Sequence, residues 1–396
     1  MGFYVSTPMQ FDLIIVGGGL AGLALARALR DTRLKIALLE NHAPTRPTGW
    51  DARVYAITPA NAAFLDRIGV WKHLDTSRIT PIRAMHVFGD QGARLDFSAY
   101  ETGVTELGWI VESALLSCEL WESVKRQGNL TLLCPAELDA VEIREDAAEL
   151  TLADKRSLSA RLLVGADGRH SQVRSQCGLQ AATKDYGEKG VVANFQCERP
   201  HRNIARQWFR EDGVLAWLPL PDNRISVVWS TPNAHAESLL ALPTDKFCQR
   251  VAVAGEYALG DLSPITPPTA FPLALMRVPQ TVAPRIALIG DAAHGIHPLS
   301  GHGINLGFQD ARALAELLTG AVEWQDIGNL HFLRRYQRLR REETLLMQTA
   351  TDSLQRVFQK NLLGLKILRN AGMRLTNALP PLKVFLAKYA LGAYQP

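Results

Sequence analysis

The sequence predicts a mixed α/β chain in two units followed by a helical C-terminus, on three observations. A short apolar run, Phe11-Asp12-Leu13-Ile14-Ile15-Val16, breaks at Gly17-Gly18-Gly19-Leu20-Ala21-Gly22 and gives way at once to helix formers. Short strand-like runs between Pro and Gly turns fill 186–284, the pattern of a mostly antiparallel sheet. A long helix is expected over 330–358. At 396 residues the chain exceeds the usual size of one hydrophobic core, which also favours two units.

The first stretch reads as strand, glycine turn, helix (Leu23 to Leu29), second strand (Ile36-Ala37-Leu38-Leu39) and acid, Glu40. Each part has a reason. Gly17 allows the tight turn, Gly19 lets backbone approach a pyrophosphate, and Gly22 lets helix and strand pack closely. The N–H groups of the helix start, Leu20 and Ala21 among them, favour anions. Glu40 stands where a carboxylate accepts from ribose hydroxyls. The stretch is a Rossmann-like dinucleotide fingerprint with its full context.

The chain from 46 to 58 reads as loop, because Pro47 and Gly49 interrupt any period. Thr58 and Pro59 then start a helix that Gly69 ends. A hairpin is expected over 79–97, a strand over 107–111 and a helix over 114–124. Strands around 130–133, 140–143, 148–152 and 162–164 suggest a small antiparallel ribbon. Gly165-Ala166-Asp167-Gly168 again ends an apolar run in glycines and an acid. Within 186–284 one helix is expected, over 245–253. Ile286-Ala287-Leu288-Ile289 returns to the first style and leads into Gly290-Asp291-Ala292-Ala293-His294. Pro298-Leu299-Ser300-Gly301-His302-Gly303-Ile304-Asn305 then opens a helix running to about Leu318.

Composition excludes several classes. The fractions of 47% hydrophobic and 21% charged residues fit a globular protein, and a net charge of +4 gives no electrostatic case for nucleic acid. Five scattered cysteines with no CxxC argue against a disulfide framework and a thiolate metal site, and point to a reducing, cytoplasmic setting. No signal peptide is expected at the N-terminus, and no segment has the ~20 uninterrupted apolar residues that span a bilayer. His294, His297 and His302 lack the spacing of a zinc site, so no metal is expected.

Three stretches stand together: Gly17-x-Gly19-x-x-Gly22 with Glu40; Gly165-Ala166-Asp167-Gly168; and Gly290-Asp291 through Pro298, Gly301, Gly303 and Asn305. With Asp51-Ala52-Arg53, Leu218-Pro219-Leu220 and Phe271-Pro272-Leu273, this combination resembles the group A FAD-dependent aromatic hydroxylases of the para-hydroxybenzoate hydroxylase type. Nearer still, it resembles the ubiquinone-biosynthesis hydroxylases, over nearly the whole chain. The resemblance implies an FAD-binding domain discontinuous over 1–75, 100–180 and 285–345, a substrate sheet domain over 76–99 and 181–284, and a helical tail over 346–396. It implies that NAD(P)H binds transiently and reduces the flavin, that O2 adds at C4a, and that OH passes to the ring of a polyprenyl phenol. No side-chain general base is assigned. Pro298, Leu299 and Gly301 face the flavin, with His302, Gly303, Ile304 and Asn305 beside it. The family usually has glutamine where this chain has His302.

By the same resemblance Arg53 lies near the flavin and its phosphates, against the alternative of a surface ion pair. Asp167 is either a ligand or a structural turn, and Asp291 accepts from ribityl hydroxyls or shapes the diphosphate site. Trp217, Leu218, Pro219, Phe271 and Pro272, with Leu273, are candidate pocket walls or simply core. The tail from Arg356 onward carries seven Lys and Arg and no Asp or Glu among leucines. Such a tail suits an anionic membrane surface or a partner complex, or packs on its own domain. The alternatives to the leading reading are a hydroxylase of a soluble phenol, a flavoprotein reductase that does not activate oxygen, and a silent accessory flavoprotein.

Overall fold

The structure, a computed structural model, describes residues 8–89, 92–296, 303–359, 363–379, 381 and 383–384. The expected flavin-facing residues Pro298, Leu299, Gly301 and His302 lie outside the described residues, as does His297.

Strand β1 (Met9–Val16) runs into helix α1 (Leu20–Ala28) and strand β2 (Ile36–Leu39) follows. β1 lies inside a sheet of eight strands, parallel to β2 on one side and to Ser157–Gly165 on the other. Leu130–Leu133 extends the sheet beyond β2, and Ile286–Leu288 extends it beyond Ser157–Gly165, both in parallel. Both faces of β1 are covered, which is why its run is apolar without alternation. Leu13 and Ile15 pack under the helices, whereas Ile14 and Val16 pack on the opposite face.

The antiparallel ribbon differs from the expectation. Leu138–Ile143, Ala148–Leu152 and the start of Ser157–Gly165 do form one. Leu130–Leu133 instead joins the parallel sheet as its edge strand beside β2, where Leu130 and Leu132 pack against the core under the helices. The stretch 46–58 is not all loop: Val54–Ile57 pairs antiparallel with Gly108–Glu112, which also pairs with Thr80–Ile82. The four-residue strand is too short for alternation to declare itself beside Pro47 and Gly49.

A second sheet of nine strands is built on Ala182–Cys197, Ile204–Arg210, Gly213–Leu220, Arg224–Pro232 and Thr269–Arg277, with the hairpin Ala84–Phe88 and Arg94–Ser98. Its pairings are antiparallel except that Ile204–Arg210 runs parallel to Ala84–Phe88. Thr244–Ala254 supplies the expected helix, and Asn233–Leu240 is a second that the sequence reading lacked. Together they cover one face of the sheet, over Phe195, Trp217 and Trp229.

Helix Gly303–Thr319 packs on α1, and helix Leu330–Gln359 packs on it in turn, unbroken across 345 and 346. Helix Leu363–Ala378 lies along strand Arg94–Ser98, where Asn377 Oδ1 accepts from the N–H of Asp96 at 3.2 Å. Beyond it Lys383 pairs with Glu101 at 2.8 Å. This part of the tail therefore packs on its own chain.

One buried carboxylate joins these helices to the sheet. Asp310 accepts from the N–H of Gly290 at 3.0 Å, from His294 Nε2 at 2.6 Å and from Arg340 Nε at 2.7 Å. Arg340 also donates to Gln309 and Glu343. Burial pushes the Asp310 carboxyl up, but His294 and Arg340 outweigh it and hold it below the ordinary range. Arg340→Met leaves that charge buried without its main partner and is expected to cost about 3–5 kcal/mol in urea unfolding. Because the folded pKa is depressed, the contribution of Asp310 is complete above the unfolded value of about 4 and is lost as pH falls through the folded value. The acid-unfolding midpoint of Arg340→Met should therefore move to higher pH.

Candidate functional site

The four adjacent parallel strands Ile286–Leu288, Ser157–Gly165, β1 and β2 end on the same side of the sheet, and all three glycine-rich stretches leave from there. Open α/β sheets place ligands at such carboxyl ends. Gly17 has φ +107°, and a Cβ on it would lie 2.4 Å from the carbonyl oxygen of Ala166. A Cβ on Gly22 would lie 2.1 Å from the carbonyl oxygen of Gly17. These two glycines are required by protein backbone alone. Gly19 differs: nothing stands within 4 Å of where its Cβ would be. The space above it is open, as a cradle for a bound group needs.

The side chain of Leu20 is buried, and Ala21 packs against Gly290 and Gly307, so both offer the cradle only their N–H groups. The first intrahelical bond runs from Leu23 N to Gly19 O, which leaves the N–H groups of 20–22 without helical acceptors. Glu40 Oε2 accepts from Gly18 N at 2.6 Å, and its Oε1 accepts from the N–H groups of Asn41 and His42. The carboxylate is thus locked at the glycine turn.

Asp167 divides its two oxygens. Oδ2 accepts from the N–H groups of Gln172 and Val173 at the start of helix Gln172–Gln176. Oδ1 is buried and has no hydrogen-bond partner. Arg174 donates to the carbonyls of Ala292 and Arg169 and so fixes the second glycine stretch to the third. Asp291 is exposed in the turn Gly290–Ala292.

Arg53 is exposed, and among the described residues its guanidinium has no carboxylate at ion-pair distance. Its backbone is fixed. Its N–H donates to Asp51 Oδ1 at 2.8 Å and its carbonyl accepts from Ser113 N at 2.9 Å. Asp51 Oδ2 accepts from Ala114 N, and the N–H of Asp51 donates to Glu112, a fully buried carboxylate held bidentate by Arg78. The second sheet grips the same loop. Asn194 Nδ2 donates to the carbonyl of Asp51 at 2.8 Å, and the Trp50 ring lies between the guanidinium groups of Arg78 and Arg224, each 4.9 Å away.

Gly303, Ile304 and Asn305 open helix Gly303–Thr319. The Asn305 side chain is spent on protein. Its Oδ1 accepts from Thr58 N and Asn61 Nδ2, and its Nδ2 donates to the carbonyl of Ala56 at 2.7 Å. What this turn offers a ligand is backbone N–H.

Side chains alternate along a strand, and this sorts the expected pocket walls. Leu218 faces the core formed with Ile82, Ile110 and Leu220. Trp217 faces the opposite side, against Phe247 and Val251. The assignment of Trp217 to the inner wall is corrected on that ground, and Pro219 shares its face. Phe271 lies over Gly190 on the inner side and is 41% exposed, while Pro272 points the other way. Val214, Ala216 and Val228, missed in the sequence, share the inner face with Leu218 and Phe271 and are half-buried. All five cysteines are free, and burial pushes the thiols of Cys177 and Cys197 up to about 11 and about 12, so neither is a thiolate at neutral pH.

The chain matches the family described as FAD binding domain over residues 10–346. It is 36% identical over 388 residues to ubiquinone hydroxylase UbiL of Rhodospirillum rubrum, covering 96% of this chain and 89% of that protein. It is 34% identical over 391 residues to 3-demethoxyubiquinol 3-hydroxylase of Escherichia coli, covering 98% and 100%. PqsL of Pseudomonas aeruginosa, crystallised with 2-aminobenzoylacetate, superposes with a TM-score of 0.76 over 92% of this chain and 99% of that one. At 21% identity it speaks for the fold alone.

Two substitutions separate constrained from unconstrained positions here. Gly22→Ala drives a Cβ into the Gly17 carbonyl and is expected to cost about 1–3 kcal/mol in urea unfolding. Ser226, opposite Asn194 on the inner face, has a buried hydroxyl with no partner. Ser226→Ala should leave the unfolding midpoint unchanged or raise it, because the desolvated hydroxyl contributes no bond that would be lost.

Proposed function

The chain belongs to the FAD binding domain family, and from that premise we propose that it is an FAD-dependent monooxygenase hydroxylating the ring of a polyprenyl phenol in ubiquinone biosynthesis. The observation that carries this is identity of 34–36% to two ubiquinone-pathway hydroxylases over 96–98% of the chain.

The residues at the strand ends fit FAD. Gly19 leaves open space and the first turn of α1 presents N–H groups, and among the described residues Asp167 Oδ1 has no hydrogen-bond partner and Arg53 no ion pair. In this reading Gly17, Gly19, Leu20, Ala21 and Gly22 hold the diphosphate through backbone N–H groups. Glu40 receives the adenosine ribose. Arg53 meets the anionic part of the cofactor, and Asp167 and Asp291 shape the site around it. The N–H groups of Gly303, Ile304 and Asn305 stabilise negative charge on the reduced ring. Pro298, Leu299, Gly301 and His302 are assigned to the flavin by the family resemblance.

The chemistry supplied by bound FAD is acceptance of hydride from NAD(P)H and activation of O2. One oxygen atom enters the ring as hydroxyl and the other leaves as water, with both electrons from NAD(P)H. The chain's own work is to bind, orient and exclude water. The inner face of the second sheet supports an apolar substrate, since Leu218, Val228, Ala216 and Phe271 present half-covered hydrocarbon there. A phenol with a prenyl tail fits such a surface better than a charged soluble phenol, for which a paired cation on that face would be expected.

No helix among the described residues is long and apolar enough to cross a membrane. Contact with a membrane surface is proposed through the tail, where Arg374, Leu375 and Leu379 are exposed. It delivers an insoluble substrate without a spanning segment.

The test is an absorption spectrum of the purified protein followed anaerobically through NAD(P)H addition, with and without a prenylated phenol. Bound flavin is expected, reduced at least tenfold faster when the phenol is present. A folded protein that takes up no FAD when it is supplied would overturn the reading. Flavin whose reduction ignores the phenol would favour a reductase.

A further inference from the structure

Arg53 and Tyr55 sit two residues apart, on and just before strand Val54–Ile57, and this places both side chains at the site. The Arg53 guanidinium lies 5.5 Å from the centroid of the Tyr55 ring. Tyr55 is itself held. Its strand is paired through Val111, and its side chain is half-buried. Burial pushes its phenol up, and Arg53, Asp291 and Asp51 are all close enough to act on it. Among the described residues Arg53 is ion-paired with neither Asp51 nor Asp291. Asp51 is occupied by the N–H groups of Arg53 and Ala114.

We propose that Tyr55 is a positioning residue of the FAD site, its ring face holding the Arg53 guanidinium ready for the anionic part of the cofactor. The inference rests on the reading that FAD occupies the cleft. With the backbone of Arg53 fixed at both its N–H and its carbonyl, the freedom left is in the side chain, and a long cationic side chain loses much of it on binding. A ring that narrows those rotamers beforehand reduces that loss. Cation–π contact at a partly exposed site is modest in size, so the effect is several-fold rather than absolute.

A double-mutant cycle on the dissociation constant of FAD tests this in the full-length protein, stripped of flavin and titrated by fluorescence. Tyr55→Phe keeps the ring and should bind FAD within about twofold of the unaltered chain. Tyr55→Leu should bind about three- to fivefold more weakly, the scale of one cation–π contact. In an Arg53→Ala background Tyr55→Leu should have no further effect, since there is nothing left to position. Equal weakening in both backgrounds would overturn the proposal, and so would a Phe variant as weak as Leu. Should the Leu variant fail to fold, progressively fluorinated phenylalanines at 55 replace it, each weakening the ring face without changing its size. FAD affinity should then fall with fluorination when Arg53 is present and stay flat in Arg53→Ala; a flat response in both sinks the idea. Failure of the unaltered chain to bind FAD is seen before any variant and would defeat the underlying reading.

Discussion

The cleft at the strand ends depends on a contact of backbone against backbone. The carbonyl of Gly17 sits where a Cβ of residue 22 would be, and the carbonyl of Ala166 sits where one of residue 17 would be. α1 can therefore leave β1 at that angle only if both positions are glycine. The N-terminal turn of α1, the end of Ser157–Gly165 and the turn at Gly290 are brought together by this contact. Glu40, Asp167 and Asp291 reach one region because the strands they follow are neighbours in the sheet, not because they are near in the chain.

Asp310 performs the matching task on the helix side. The carboxylate is buried, and such a charge is tolerable only when its lone pairs are filled and opposite charge is close. Gly290 and His294 supply this from one segment and Arg340 from another. Helix Leu330–Gln359 is thereby fixed to the turn carrying Asp291, and a helix remote in sequence bears on the geometry of the cleft.

Much of this was legible in the sequence, for identifiable reasons. Gly17 and Gly22 could be read because the backbone leaves almost no choice of residue at a turn of this kind, and Gly19 and Glu40 by their spacing from them. The helix from Pro59 was marked by Thr58 and Pro59 themselves. Trp217 was misread because an aromatic beside Leu218-Pro219 looks like a wall until strand pairing decides which face each residue takes. Leu130–Leu133 was misread because a four-residue apolar strand carries no mark of parallel or antiparallel pairing. Asp310, Arg174 and Glu112 could not have been found, since each matters through partners distant in sequence. Asn305 was found for a family reason, yet its side chain serves to tie the helix opening to Ala56, Thr58 and Asn61.

The loop at 50–53 is held from two sides, by Glu112 and the helix start at Ser113 and Ala114, and by the second sheet. Trp50 is stacked against Arg224 of the second sheet as well as Arg78, and the carbonyl of Asp51 is taken by Asn194. The second sheet is consequently not a cassette. Grafting a different one onto this nucleotide-binding unit, as a protein engineer or a recombining genome would do to change substrate, removes the grip on the loop that presents Arg53. An exchange that keeps Arg224 and Asn194 in register with Trp50 and Asp51 preserves that grip. Modularity in this architecture therefore runs along the seam of those four residues rather than along the boundary between the sheets.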